Sequence, residues 1–230
     1  MAVREDNCIP SSGNCPSYNS DCGTSSFSSI WPCGKDASGA YLQYFGRGAK
    51  QLTYSYNYAP FSQIIYGDAG VLLNDPDQVA TSWLSLASAI FFFVFPQSPK
   101  PSMLEVIDGT WVPNAADKGK LLGNNFPTTI QIINAECQAA TTPANAQNRI
   151  DYYKAFAQDL GLDISQENMA CAGMGLFGAD SSTSSVPLYW DKSWSSQYGC
   201  DLVTWQTPFS ALITGQYVAC VEHNWGVQIS

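Results

Sequence analysis

The amino-acid sequence predicts a mainly α-helical fold with disulfide-tied loops near its start and an extension at its C-terminal end. Three observations carry that expectation. Helix caps and apolar residues at helical spacing recur between Asn74 and Gly161. Residues 8–40 are rich in Ser, Gly, Asn and Pro, hold the cysteines at 8, 15, 22 and 33, and show no hydrophobic period. From Gly173 the sequence becomes Gly/Ser/Thr-rich, with tryptophans at 190, 194, 205 and 225. A chain of 230 residues is long enough for one main domain and an appendage, here 1–172 and 173–230, the appendage being compatible with β structure.

The elements follow in order. Residues 8–40 read as an irregular loop region whose order comes from crosslinks. In Asn74-Asp75-Pro76-Asp77, Asp75 is placed to accept free backbone N–H groups and Pro76 presets the φ of a first turn, so a helix is expected there, stopping before Pro96. The uncharged stretch Val79–Phe95 is about 17 residues, the short limit for crossing a bilayer, and it contains Thr81, Ser82, Ser85 and Ser88. It reads as a buried core helix. Pro96-Gln-Ser-Pro-Lys-Pro101 is a stiff connector, and Ser102-x-x-Glu105 has capping-box spacing, opening a second helix. Asp117–Asn125 reads as a Gly/Asn-rich loop, and Thr128–Asn134 as a short apolar helix or strand. Ala144–Leu160 has helical spacing at Ile150, Tyr153 or Tyr152, Ala157 and Leu160, with Gly161 as the stop.

Composition narrows the function. Ten Lys and Arg against 19 Asp and Glu give a net charge of −9, which repels a phosphate backbone, so nucleic acid is not an expected partner. Aromatic residues are as frequent as charged ones, each 13%, a balance suited to stacking on a neutral polymer. There is no CxxC pair, and the only histidine, His223, has no cluster of ligands around it. No metal or other cofactor is therefore expected, and the even number of cysteines fits disulfides in an oxidising compartment. A secreted, extracellular, monomeric protein with no membrane partner is the expectation. Met1–Cys8 itself, with charges where an apolar stretch should be, is not a signal peptide.

Tyr44-Phe-Gly-Arg-Gly-Ala-Lys-Gln-Leu-Thr-Tyr-Ser-Tyr-Asn-Tyr58 resembles the signature segment of the chitinases of glycoside hydrolase family 19. Leu73–Ala80, Pro96–Ser102, Val106–Pro113, Ile132–Asn134 and Asn148–Lys154 follow in that family's order, so the resemblance covers about residues 3–172. It implies a lysozyme-like α-helical domain with a long cleft that hydrolyses β-1,4-linked N-acetylglucosamine polymers with inversion, in chitin catabolism. Inversion takes two carboxyl groups, one donating a proton to the leaving oxygen and one activating water.

Val3-Arg-Glu-Asp6 resembles the segment supplying the family's water-activating base, which makes Glu5 the candidate, and Thr53 matches the hydroxyl residue that helps hold the water. Read without the resemblance, Glu5 is a solvated surface charge. Gln51, Tyr56 and Asn57 resemble cleft residues that bind the sugar's hydroxyl and N-acetyl groups. Gln97 and Lys100 resemble a further subsite, and Ile133 with Asn134 a pair on the cleft floor. The alternative for Tyr54, Tyr56 and Tyr58 is a packed face of a helix or strand, with Gln51 and Asn57 capping backbone. Glu136 and Arg149 resemble an Arg–Glu pair that supports the acid, and are otherwise an ordinary ion pair. Three departures from the family pattern stand out: Ala49 for Pro, Ser55 for Asn, and an Asn134-Ala-Glu-Cys137 segment about two residues short. The resemblance pairs Cys137 with Cys171 and makes a loop disulfide of two of Cys8, Cys15, Cys22 and Cys33, leaving Cys200 and Cys220 outside it.

In the family the proton donor lies in a His-Glu-Thr-type helix upstream of the base. Only four residues precede Glu5, so the resemblance assigns the donor to no residue, and the 230-residue chain is expected to be nearly inert; Glu222-His223 reads as a surface pair. Three readings stand: an inverting endochitinase whose acid is not in this chain, a non-catalytic chitin-binding lectin or decoy, and a disulfide-rich structural protein of an extracellular matrix.

Overall fold

In the computed structural model, the described residues are 4, 5, 8, 15–24, 28, 31–97, 99–182, 184, 218, 222 and 226–229. They are mainly α-helical, with isolated β-bridges in place of a sheet. The chain divides into two compact units, one of residues 1–92 and 188–230 and the other of 93–187.

Among its described residues, the first unit opens with irregular chain over 15–24 and 31–40, with a 3-10 turn over Ser20–Gly23 and a disulfide between Cys22 and Cys33. Helix α1, Ser55–Tyr66, follows Tyr54, whose φ of 72° turns the chain sharply into it, and ends at the left-handed Gly67. Helix α2 is Gly70–Asn74. Buried Ser62 joins the two, donating to Asp68 O at 2.6 Å and accepting from Leu72 N at 3.0 Å. Tyr44, Phe45, Leu52, Tyr58, Phe61, Leu72 and Leu73 form the buried apolar set around them.

Two expectations fail in this unit. Asp75 does not cap a helix: it follows the last residue of α2, and α3 begins later, at Gln78–Thr81. Asp75-Pro76-Asp77-Gln78 is instead a turn, closed by Gln78 N donating to Asp75 O at 3.4 Å, while the Asp77 carboxylate is taken by Arg4 and Arg47. Val79–Phe95 is likewise not one buried helix. Ser82 is extended, its hydroxyl accepts from Leu84 N at 3.2 Å, and a new helix, α4, runs over Leu84–Val94. Leu84, Ser88 and Phe91 face inward, Phe91 against Phe61 at 5.2 Å. Trp83, Leu86 and Ile90 remain 64%, 65% and 58% exposed, so they gain little of the roughly 1.5–3 kcal/mol that full burial brings each side chain.

The second unit begins at the proline-rich connector, where Gln97 and Lys100 exchange backbone hydrogen bonds of 3.1 and 2.7 Å. Helix α5, Met103–Asp108, carries the expected capping box, Ser102 with Glu105, and ends at left-handed Gly109. Asp117–Asn125 is not wholly loop. Asn114 and Asp117 form a second capping box that starts helix α6 at Ala115–Gly119, two orphan N–H groups being satisfied reciprocally. Thr128–Asn134 resolves to a helix, α7, Phe126–Asn134, capped by Asn125 and opened by Pro127. Helix α8, Ala144–Asp159, buries Ala146, Ile150 and Ala157, whereas Leu160, expected on that face, is exposed. Gly161 follows at φ 67°. The Cys137–Cys171 disulfide forms.

Residues 173–182 and 184 lie along this unit. Met174 N donates to Cys137 O, Gly175 N to Lys120 O and Ser184 Oγ to Glu105 Oε1, at 2.9, 2.9 and 2.6 Å. Phe177 packs on Trp111, which donates to Ser182 O at 3.2 Å. The rest of the expected extension, including its tryptophans, Cys200, Cys220 and His223, lies outside the described residues apart from 218, 222 and 226–229. No helix among the described residues is long and apolar enough to cross a membrane.

Candidate active site

The first unit holds Glu5, Gln51, Thr53, Tyr56 and Asn57. Glu5 is held on Gly46 from both its backbone and its side chain: its N–H donates to Gly46 O at 2.8 Å, and its Oε2 accepts from Gly46 N at 2.9 Å. Oε1 accepts from the Tyr18 hydroxyl at 3.3 Å. Burial, and then the adjacent Glu5 carboxylate, push the Tyr18 hydroxyl above its ordinary range, so it stays protonated and remains the donor. An ionised carboxylate offers about four acceptor positions, which leaves Glu5 capacity to accept from a water.

The Gly-Arg-Gly motif has a physical cause at each position. A methyl group on Gly46 would lie 2.8 Å from Gln51 Oε1 and 3.4 Å from Glu5 Oε2, so the missing side chain is what lets Glu5 and Gln51 converge. Gly48 adopts φ +79°, and a methyl there would meet Ser88 Oγ at 2.8 Å and Ser85 O at 3.0 Å, against α4. Between them Arg47 is buried, its Nη1 donating to Gln43 O, Phe45 O and Tyr58 Oη at 3.1, 3.2 and 3.2 Å. Its Nε reaches Asp77 Oδ1 at 3.3 Å, and Arg4 grips the same carboxylate with Nε at 3.0 Å and with Nη2. A buried guanidinium needs such pairing. Here it also fixes Arg4, and with it the neighbouring Glu5.

Gln51 is left-handed at φ 57° and donates from Nε2 to Gly48 O at 3.0 Å. Thr53 Oγ1 donates to Gln51 O at 2.7 Å, so its hydrogen is committed and its lone pairs are left to accept. Asn57, buried in the first turn of α1, donates from Nδ2 to Thr53 O at 2.8 Å. Tyr56 stacks on Tyr54 at 4.9 Å, which meets Tyr18 edge-on at 4.7 Å; burial pushes the Tyr56 hydroxyl up. Tyr58, by contrast, is fully buried and belongs to the core, as its packed-face reading expected.

The second unit holds the remaining candidates. Lys100 Nζ donates to Ile132 O at 2.9 Å, and burial lowers its pKa. Ile133, partly buried, and Asn134, exposed, close α7. The shortened Asn134-Ala-Glu-Cys137 segment turns on Ala135 at φ 52°, which brings Asn134 Nδ2 within 3.0 Å of Glu136 Oε1. Arg149, on α8, donates from Nε to Glu136 Oε2 at 3.2 Å. Burial pushes the Glu136 carboxyl up, but the hydrogen bonds from Asn134 and Arg149 outweigh it and the net shift is downward. Gln97 is fixed by its backbone pairing with Lys100.

Sequence reading missed Tyr18, the tyrosine stack it belongs to, and the Arg4–Asp77–Arg47 network. Tyr18 sits in the irregular segment, where no period marks an inward side chain. The Gly-Arg-Gly spacing alone carried a readable signal for Arg47. No group of three or more potential metal ligands occurs among the described residues.

A family model described as chitinase class I matches residues 7–171. Its match begins after Glu5 and includes the other candidate residues. Endochitinase 3 of Solanum tuberosum is 41% identical over 154 residues, 66% of this chain and 45% of that protein. The basic 30 kDa endochitinase of Solanum lycopersicum shows the same identity over the same shares. The chain thus spans about half the length of the curated relatives it matches. Among solved structures, chitinase C from Streptomyces griseus HUT6037 is similar in fold, with a TM-score of 0.51 at 22% identity, over 74% of this chain and 68% of that one.

Proposed function

The chain belongs to the class I chitinases of glycoside hydrolase family 19, and from that membership we propose that it binds β-1,4-linked N-acetylglucosamine polymers and supplies the water-activating half of an inverting hydrolysis. The observation that carries this reading is the way Glu5 is held: both carboxylate oxygens are oriented by donors, Gly46 N and Tyr18 Oη, with acceptor capacity to spare. In the proposed step a water donates one hydrogen to Glu5 and the other to Thr53, whose own proton is bound to Gln51 O. Its lone pair is then free to attack the anomeric carbon as Glu5 takes the proton. Gln51, Tyr56 and Asn57 bind sugar hydroxyl and N-acetyl groups in the first unit. Gln97, Lys100, Ile133 and Asn134 do so in the second, where the Glu136–Arg149 pair is a supporting contact.

Inversion also needs a proton on the departing oxygen, and no residue of 1–230 is assigned that task. The second reading we propose is a chitin-binding protein without turnover. We propose secretion as the setting, in keeping with the two disulfides. A paired assay tests the readings: binding to insoluble chitin and release of soluble oligosaccharide, each with Glu5→Gln alongside. The enzyme reading expects any release to fall about 10²–10⁴-fold in Glu5→Gln, the usual value of positioned acid–base catalysis, with binding retained. Release that Glu5→Gln abolishes supports the enzyme reading, whereas binding without release fits both readings, and the sequence encoded upstream of Met1 then separates them.

A further inference from the structure

We propose that Cys8 and Cys15 are joined in the mature protein by a disulfide additional to Cys22–Cys33 and Cys137–Cys171, and that this bond clamps the segment carrying Glu5 to the segment carrying Tyr18. Both cysteines are thiols in the structure, 4% and 8% exposed, and they lie in one apolar cluster with Phe45, Tyr18 packing against it. The two side chains lie together in that buried cluster. Their backbones are already held to the same piece of chain. Cys8 N donates to Glu5 O at 2.9 Å, and Glu5 is paired with Gly46. Cys15 O accepts from Gln43 Nε2 at 3.1 Å, and Ser17 O accepts from Tyr44 N at 2.8 Å. The bond would thus join two cysteines already buried in one cluster and held to one piece of chain.

The chemistry is thiol–disulfide exchange. One cysteine thiolate attacks a sulfur of a small-molecule or protein disulfide, releasing one thiol. The second cysteine attacks the mixed disulfide so formed, releasing the other. Two cysteine thiols are oxidised, the donor disulfide is reduced to two thiols, and the cysteine protons end on the released thiols. A chain that already carries two disulfides matures where such donors are present. Burial, then the neighbouring Cys15, push the Cys8 thiol well above its ordinary range; thiolate is scarce once the pocket has closed, so the exchange belongs to folding.

The bond is read directly, and independently of any chitin activity, by blocking thiols in the intact protein from an oxidising host, digesting it without reduction and mapping the peptides. The expected result is a peptide or peptide pair crosslinked Cys8 to Cys15 and carrying no blocking group. Recovery of both cysteines blocked, or of either linked to a different cysteine, overturns the proposal. For the clamp, amide exchange in Cys8→Ser/Cys15→Ser is expected to rise at Glu5 and Gly46 while that of α8 is unchanged. Exchange at Glu5 and Gly46 equal to the unaltered protein overturns the clamp, and should the variant not fold, peptide mapping still decides on the bond.

Discussion

Glu5 has no helix or strand beneath it; a glycine and a tyrosine hold it. Gly46 gives it an amide and the space to lie against Gln51, and Tyr18 gives it a hydroxyl. The two glycines of Gly-Arg-Gly should therefore respond differently to alanine. At Gly46 the obstructed atom is the end of a flexible side chain, Gln51 Oε1, so Gly46→Ala should weaken binding of chitin oligosaccharides with little change in melting temperature. At Gly48 the obstruction includes the Ser85 carbonyl, and φ is +79°. Gly48→Ala should thus cost stability, on the order of 1–2 kcal/mol from the left-handed backbone alone, read as a lower denaturation midpoint. Equal melting temperatures for the two variants would contradict this division. The glycines and Gln51 were legible in the sequence because the motif has fixed spacing. Tyr18 was not, since its role comes from a contact across the irregular segment rather than from a local pattern.

Between elements, the Asp77 carboxylate pairs with two arginines and makes no cap hydrogen bond to α3. Its hydrogen bond with Arg4, joined by Arg47, lowers its pKa below the ordinary value. A carboxylate with a depressed folded pKa contributes stability that is complete above the unfolded value, about 3.9, and lost as pH falls through the folded one. Asp77→Asn should therefore melt below the unaltered protein at neutral pH, with the gap closing as the pH is lowered through roughly 4 and beyond. A gap independent of pH would show that the ion pairs contribute no titratable stability. Asp77 is about a third exposed, 35% by side chain, so solvent screening keeps the effect modest. Caps were otherwise readable where one box spacing stood alone, as at Ser102 and Glu105. They were missed at Asn114 and Asp117, where Gly and Asn crowd the following residues and resemble a loop. The break at Ser82 was hidden because a serine reads equally well as a tolerated helix residue and as the hydroxyl that starts the next helix.

At the scale of the molecule, the mainly α class followed from periodicity and caps, whereas which apolar faces are covered did not, because burial depends on neighbours distant in sequence. Trp83, Leu86 and Ile90 show this: hydrophobic enough for a core, they stand exposed, Trp83 just before α4 and the other two along it. An exposed apolar stripe is an association liability, so the chain should scatter light increasingly with concentration. Leu86→Lys/Ile90→Lys should remove that scatter without lowering the melting temperature, since neither side chain is packed; a lowered melting temperature would contradict their exposure. The proposed chitin-recognising surface on which Glu5 is poised is tested most directly by adsorption of the purified chain to insoluble chitin, with Asn57→Ala and Gln51→Ala for comparison. The expected result is adsorption that soluble N-acetylglucosamine oligomers compete away and that both variants weaken; no adsorption by the unaltered, folded chain would contradict the proposal.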